Sequence, residues 1–200
     1  MLRVALARIH PRDRLLVVLG LETGLRTSEL LSLSVVDVWD GRAPSTVLRV
    51  SRRNLKGGRG ERARTIRSRI IPLNTRAQEA IADYFAGFER HASEPLFVTQ
   101  KSGVGPMTRR HASRAIRAVF LAAGLSAHKA WAGHSLRRRF VRRIYDSHGI
   151  NAARAAVGHR WISTTQLYLG LDEEIAHEAI LLLGKPSCGD RSGTRREQCV

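Results

Sequence analysis

Thr23-Gly24-Leu25-Arg26-Thr27-Ser28-Glu29-Leu30 is the stretch around which the chain organises. Upstream, residues 11–22 place Leu15, Leu16, Val18 and Leu19 on a broad apolar face with Pro11 near the start, the pattern of a helix. Gly24 ends it. Thr27-Ser28-Glu29 then opens a second short helix bearing Leu30, Leu31 and Leu33. Arg26 falls between the glycine turn and the new helix, at a helix N-terminus, where anions are favoured. The plain alternative is a surface arginine in a loop, in a chain with 30 arginines.

Working outward, Gly41 and Pro44 mark a loop, and residues 47–55 read as a strand in which Val47, Arg49 and Ser51 alternate with Leu48, Val50 and Arg52. Gly57, Gly58 and Gly60 break it, and residues 66–73 read as the return strand of a long basic hairpin. Asn74 or Thr75 caps the next helix, with Gln78 placed for a capping box and Ala77, Ile81, Phe85 and Phe88 at helical spacing. Residues 95–99 suit a third short strand. Thr108 caps a helix with Ala112, Ile116, Val119 and Phe120 on one face, closed by Gly124. Helical pattern returns at 135–147, 151–157 and 172–183. From residue 184 the chain is polar and glycine-rich and reads as a disordered tail. The expected fold is α+β: mainly α-helical, with a small three-stranded antiparallel sheet.

Composition narrows the function classes. The 200 residues are 43% apolar and 26% charged, as in a soluble globular protein. Lys and Arg number 34 against 17 Asp and Glu, a net charge of +17 that calls for a polyanionic partner. Only four of those cations are Lys, and Arg suits bidentate phosphate contacts better. The longest apolar run, around residues 15–19, is too short to span a bilayer, and no apolar run of signal-peptide length follows Arg3 and Arg8. Cys188 and Cys199 both lie in the tail, so the body has neither a disulfide framework nor a cysteine metal site. A cytoplasmic, nucleic-acid-facing protein is expected. Residues 49–69, 109–117 and 137–143 together hold 18 cations and one acid, the whole excess charge.

Three further segments carry candidate chemistry. In Gly133-His134-Ser135-Leu136-Arg137, His134 and Arg137 share a helix face, and an imidazole beside a guanidinium can hold one phosphate. The plainer reading is a basic helix resting on a nucleic-acid backbone. In Val157-Gly158-His159, the glycine permits close approach, and Tyr168 follows nine residues after His159 on a helix begun near Ser163. A lone tyrosine is more often half-buried core. Lys56, at the glycine-rich hairpin tip, is the only Lys in the first 100 residues and could be delivered to a substrate, or could simply contact a groove.

Taken jointly and in this order, these segments resemble the catalytic domain of the tyrosine recombinases, the phage integrase family. That family shows a T-G-L-R-x-x-E-L box, a hairpin lysine, an H-x-L-R box, a G-H dipeptide and a tyrosine nine residues after that histidine. Here they stand as Arg26, Lys56, His134 with Arg137, His159 and Tyr168, over roughly residues 5–183. The resemblance implies a site-specific recombinase that cuts double-stranded DNA through a 3′-phosphotyrosyl link, with no metal and no cofactor. It implies Tyr168 as nucleophile, Arg26 and Arg137 on the phosphate oxygens, and His134 as the group that takes and returns the tyrosine proton. Lys56 becomes the general acid for the leaving 5′ oxygen, and His159 a hydrogen-bond partner of the phosphate. Arg52, Arg53, Arg59, Arg109, Arg110 and Arg138 become DNA-backbone contacts.

The resemblance further implies a homotetramer on DNA, accessory DNA-bending proteins, nucleoid association and no membrane partner. The catalytic boxes begin by residue 23, so residues 1–183 are expected to be a catalytic domain without the family's N-terminal clamp domain. Arg64 competes with Lys56 for the hairpin position, though an arginine rarely gives up its proton at neutral pH. Two alternatives stay open: a nicking-closing activity like that of type IB topoisomerases, and a truncated, non-catalytic DNA-binding accessory protein.

Overall fold

The computed structural model describes residues 9–51, 54–55, 68–86, 90–99, 105–126, 131–159 and 161–169, with the backbone alone for Leu167 and Tyr168. The expected helix at 172–183 and the tail from 184 lie outside the described residues.

Helix α1 (Pro11–Thr23) is at the centre of the described residues. Leu15, Leu16, Val17 and Leu19 are all fully buried, and a helix apolar on so many sides must be surrounded. It packs against α3 (Thr75–Phe85), α4 (Arg109–Ala122) and α5 (Gly133–Val157). Pro11 sits at its first turn, and Gly24 closes it in the left-handed conformation (φ 62°, ψ 17°). Arg12 is 2% exposed, a burial made tolerable by its bonds to Asp13 Oδ1 (2.6 Å) and to the Val98 carbonyl (2.7 Å).

Helix α2 is shorter than the apolar pattern suggests: Thr27–Leu30 only. Leu31 and Leu33 lie beyond it, where the chain turns toward a 3-10 turn at Val35–Asp37. Strands β1 (Val47–Val50) and β2 (Arg69–Pro72) pair antiparallel, Val50 opposite Arg69 and Val47 opposite Pro72. The alternation read from the sequence holds on β1: Leu48 and Val50 are buried and Arg49 is exposed. The strand stops at Val50, however, not residue 55, since Asn54 and Leu55 turn away from the ladder.

The described sheet has two strands, so the expected third strand at 95–99 is corrected. That segment makes isolated bridges, Ser34 to Pro95 and Val98 to Pro106. Proline lacks the N–H that a continuous ladder would need, and Pro95 and Pro106 each sit at a bridge.

Asn74 caps α3, its Oδ1 accepting from the Ala77 N–H at 3.0 Å. Gln78 then falls one position too late for a capping box and donates to the Leu73 carbonyl instead (2.6 Å). Ala77, Ile81 and Phe85 are buried as spaced, while Phe88 lies outside the described residues. Thr108 caps α4, whose inner face holds Ala112, Ile116, Val119 and Phe120 and whose outer face holds Arg109, Arg110, Arg114 and Arg117.

The two helical stretches expected at 135–147 and 151–157 form one run, α5, interrupted at Gly149 (φ 77°, ψ 179°), a backbone setting that side-chain-bearing residues avoid. Helix α6 (Ile162–Leu169) follows and packs on α5. Helix α5 lies unusually close to the α1–α2 turn. A Cβ on Gly24 would strike the Phe140 ring, and one on Gly133 would strike Thr27 Oγ1. This approach brings the first and second arginine boxes together.

Candidate active site

Arg26 is the N-cap of α2. Its backbone N–H donates to Glu29 Oε2 and its Nη1 to Glu29 Oε1, both at 2.8 Å. Glu29 is fully buried, whereas the Arg26 side chain is 29% exposed. One carboxylate thus fixes backbone and guanidinium together, and the rest of the fork faces a cavity of about 560 Å³.

Arg137 projects from the first turns of α5 and is fully buried. Nη1 donates to the Gly24 carbonyl, and Nη2 donates to the Val157 carbonyl (3.0 Å) and to His159 Nε2 (3.0 Å). These three acceptors are uncharged, so they orient the fork without cancelling its charge. An arginine N–H can only donate, so His159 Nε2 must accept and the imidazole proton sits on Nδ1. Nδ1 then donates to Thr165 Oγ1 at 3.0 Å, a hydroxyl buried completely on α6. Burial above all, then the positive charges of Arg137, Arg26 and Arg69, push the His159 pKa down to about 4, against a smaller opposing pull from Glu29. The ring is neutral at physiological pH.

The cavity is lined by Arg26, Asn54, Leu55, Arg109, His134 and Arg137, among others. His134, one helical turn before Arg137, is exposed at the rim. The structure therefore brings Arg26, His134 and Arg137 to one space. His159 is not among the lining residues; it stands behind Arg137. Arg109 joins the wall from α4, while Arg110 and Arg138 are exposed on α4 and α5 outside it. Tyr168 lies on α6, one turn after Thr165. Lys56, Arg52, Arg53, Arg59 and Arg64 lie outside the described residues; Leu55, immediately before Lys56, is in the cavity wall.

Two residues were not singled out by sequence reasoning. Arg69 on β2 donates through Nη2 to the Ala156 carbonyl at 2.6 Å. Its side chain lies against Gly158, where a Cβ would meet Cδ and Nε at 3.2 Å. Burial lowers its pKa. The glycine before His159 does allow a close approach, and what approaches is this arginine. A charge at an inward strand position, opposite Val50, was the available signal. Thr165 is the other; polar and buried at helical spacing from Tyr168, it was legible only once His159 had a position.

A sequence model described as the phage integrase family matches residues 3–174. The chain belongs to the phage integrase family. Tyrosine recombinase XerD of Corynebacterium glutamicum is 30% identical over 172 residues, which cover 84% of this chain and 51% of that protein. Tyrosine recombinase XerC of Proteus mirabilis is 30% identical over 168 residues, 80% of this chain and 48% of that one. The chain thus spans about half the length of the curated relatives it matches. Among solved structures, XerA recombinase superposes with a TM-score of 0.66 at 21% identity, covering 92% of this chain and 62% of that chain. XerH site-specific recombinase bound to difH substrate, a pre-cleavage complex, gives 0.63 at 20% identity over 92% of this chain and 52% of that one. At such identity the likeness is one of fold.

Proposed function

We propose that this phage integrase family chain is the catalytic part of a site-specific DNA recombinase acting on double-stranded DNA, assembled there as a homotetramer. The observation that carries this reading is the convergence of Arg26, His134 and Arg137 on one cavity.

A phosphodiester seated there gains charge on its non-bridging oxygens as a nucleophile adds. Two oriented guanidiniums meet that charge with fixed donors. Tyr168 Oη attacks phosphorus, the P–Oη bond forms, and the bond to the 5′ oxygen breaks. Free tyrosine has a pKa of about 10, so its proton must be taken as it attacks, and His134 is the base. Lys56 supplies the proton to the departing 5′ oxygen. Attack by another 5′-hydroxyl, with the protons returning, rejoins the strand and frees Tyr168. His159 acts through Arg137, whose Nη2 it holds from behind. The Tn1549 transposon integrase, solved in complex with transposon right end DNA, supports DNA as the partner class.

The test is a nicked suicide duplex incubated with the protein and resolved on a denaturing gel. A covalent protein–DNA band is expected, and Tyr168→Phe should abolish it while leaving DNA retention in native gels within about threefold. No band from the wild-type chain would refute the reading. Plasmid relaxation without recombinant product would reassign the activity to nicking and closing.

A further inference from the structure

The catalytic roles above give no task to Thr165, a buried polar side chain beside the site. Thr165 is fully buried, and its hydroxyl lies 3.0 Å from His159 Nδ1. His159 Nε2 lies 3.0 Å from Arg137 Nη2. Arg137 is in turn anchored on the Gly24 and Val157 carbonyls. A continuous chain of hydrogen bonds therefore runs from the guanidinium in the cavity wall to α6. Thr165 is three residues before Tyr168, on the same face of that helix.

We infer that Thr165 is a positioning residue that ties the nucleophile-bearing helix to the phosphate-binding guanidinium through His159. The inference deepens the recombinase reading and rests on Tyr168 as nucleophile.

The direction of each bond follows from chemistry. Arginine can only donate, which makes His159 Nε2 an acceptor and leaves Nδ1 as the donor. A buried N–H needs an acceptor, and the Thr165 hydroxyl provides one. With that acceptor in place the ring is held in one tautomer and one orientation, facing Arg137. Without it, the imidazole keeps its volume but gains a reason to rotate or to recruit water, and both weaken the hold of His159 on the guanidinium, leaving it the two carbonyls alone. The helix carrying Tyr168 loses that hydrogen bond to the site at the same moment. The charged groups acting on His159 are Arg137, Arg26, Arg69 and Glu29, and the Thr165 hydroxyl is an uncharged partner of the ring.

Two substitutions separate this role from mere packing. Thr165→Val keeps the volume and removes the acceptor; Thr165→Ser keeps the acceptor and removes a methyl. Single-turnover adduct formation on the suicide duplex should fall about 10- to 100-fold in the Val variant and stay within about threefold in the Ser variant. DNA retention should be unchanged in both. Equal losses in the two variants, or a Val variant that cleaves at the wild-type rate, would overturn the inference.

A second readout needs no cleavage. In nitrogen-15 NMR of the wild-type imidazole, Nδ1 should carry a slowly exchanging proton, retained with Ser and exchange-broadened with Val. A wild-type ring protonated on Nε2 refutes the relay whether or not the protein cuts DNA. A correct tautomer with no adduct from the wild-type chain would support the relay and refute the recombinase reading.

Discussion

His159→Gln should remove a pH dependence of stability whose size the structure sets. The His159 pKa is pushed down to about 4 in the folded protein, against 6.5 for an ordinary histidine. Burial is the first cause, followed by the charges of Arg137, Arg26 and Arg69. In the unfolded chain the same ring takes up a proton as the pH falls through 6.5, while in the folded chain it stays neutral until about 4. Between those values the unfolded state binds one more proton, so unfolding becomes easier as the pH falls. The stabilisation is complete above the unfolded pKa and lost on descent through the folded one. Each unit of difference is worth about 1.4 kcal/mol, so the full span amounts to roughly 3 kcal/mol. Glutamine can offer Arg137 an amide oxygen in place of Nε2 and does not titrate. Urea unfolding of both proteins at pH 7.5, 6.5, 5.5 and 4.5 isolates the effect, because every other group is common to the two. The wild-type stability should drop relative to the variant by about 1 kcal/mol per pH unit or slightly more below 6.5. A wild-type-minus-variant difference flat across that range would refute the buried, neutral His159 and the bond directions built on it.

Gly24→Ala should cost about 2–4 kcal/mol in the same unfolding assay, combining the left-handed backbone at φ 62° with the Phe140 ring that occupies the Cβ position. A loss under 1 kcal/mol would mean that α5 can retreat from the α1–α2 turn. Replacing Arg110 and Arg114, both exposed on α4, by Gln should lower the slope of log affinity against log salt by about 2 on duplex DNA. An unchanged slope would remove this face of α4 from the DNA contact.

Local punctuation was the part of the fold most legible in the sequence. Pro11, Gly24, Asn74, Thr108 and the interruption between 147 and 151 each act through their own backbone or a neighbour three residues away, so short-range chemistry reveals them. Strand extent was less legible, because the alternation continues past Val50 although the chain itself turns off the sheet. The third strand failed for a related reason: β-prone residues at 95–99 find partners only as single bridges. At the site, the shared face of His134 and Arg137 was legible from their spacing, and both line one cavity with Arg26. What could not be read was who stands behind whom. Arg69 and Thr165 act across 87 and 6 positions of sequence respectively, and no periodicity encodes the first of those distances.

One backbone setting governs whether that site exists at all. Val157 is 20 residues beyond Arg137, yet its carbonyl accepts from Arg137 Nη2 at 3.0 Å. Had α5 continued as an uninterrupted rod, those residues would stand about 30 Å apart along its axis. Gly149, with nothing within 4 Å of its missing Cβ, is the crease that folds the rod back upon itself. Its solvent side is empty, so packing does not select glycine there; handedness does. The geometry of the cavity is in this sense a property of a fold in a ruler, in which the graduations on either side meet only because of where the crease was made.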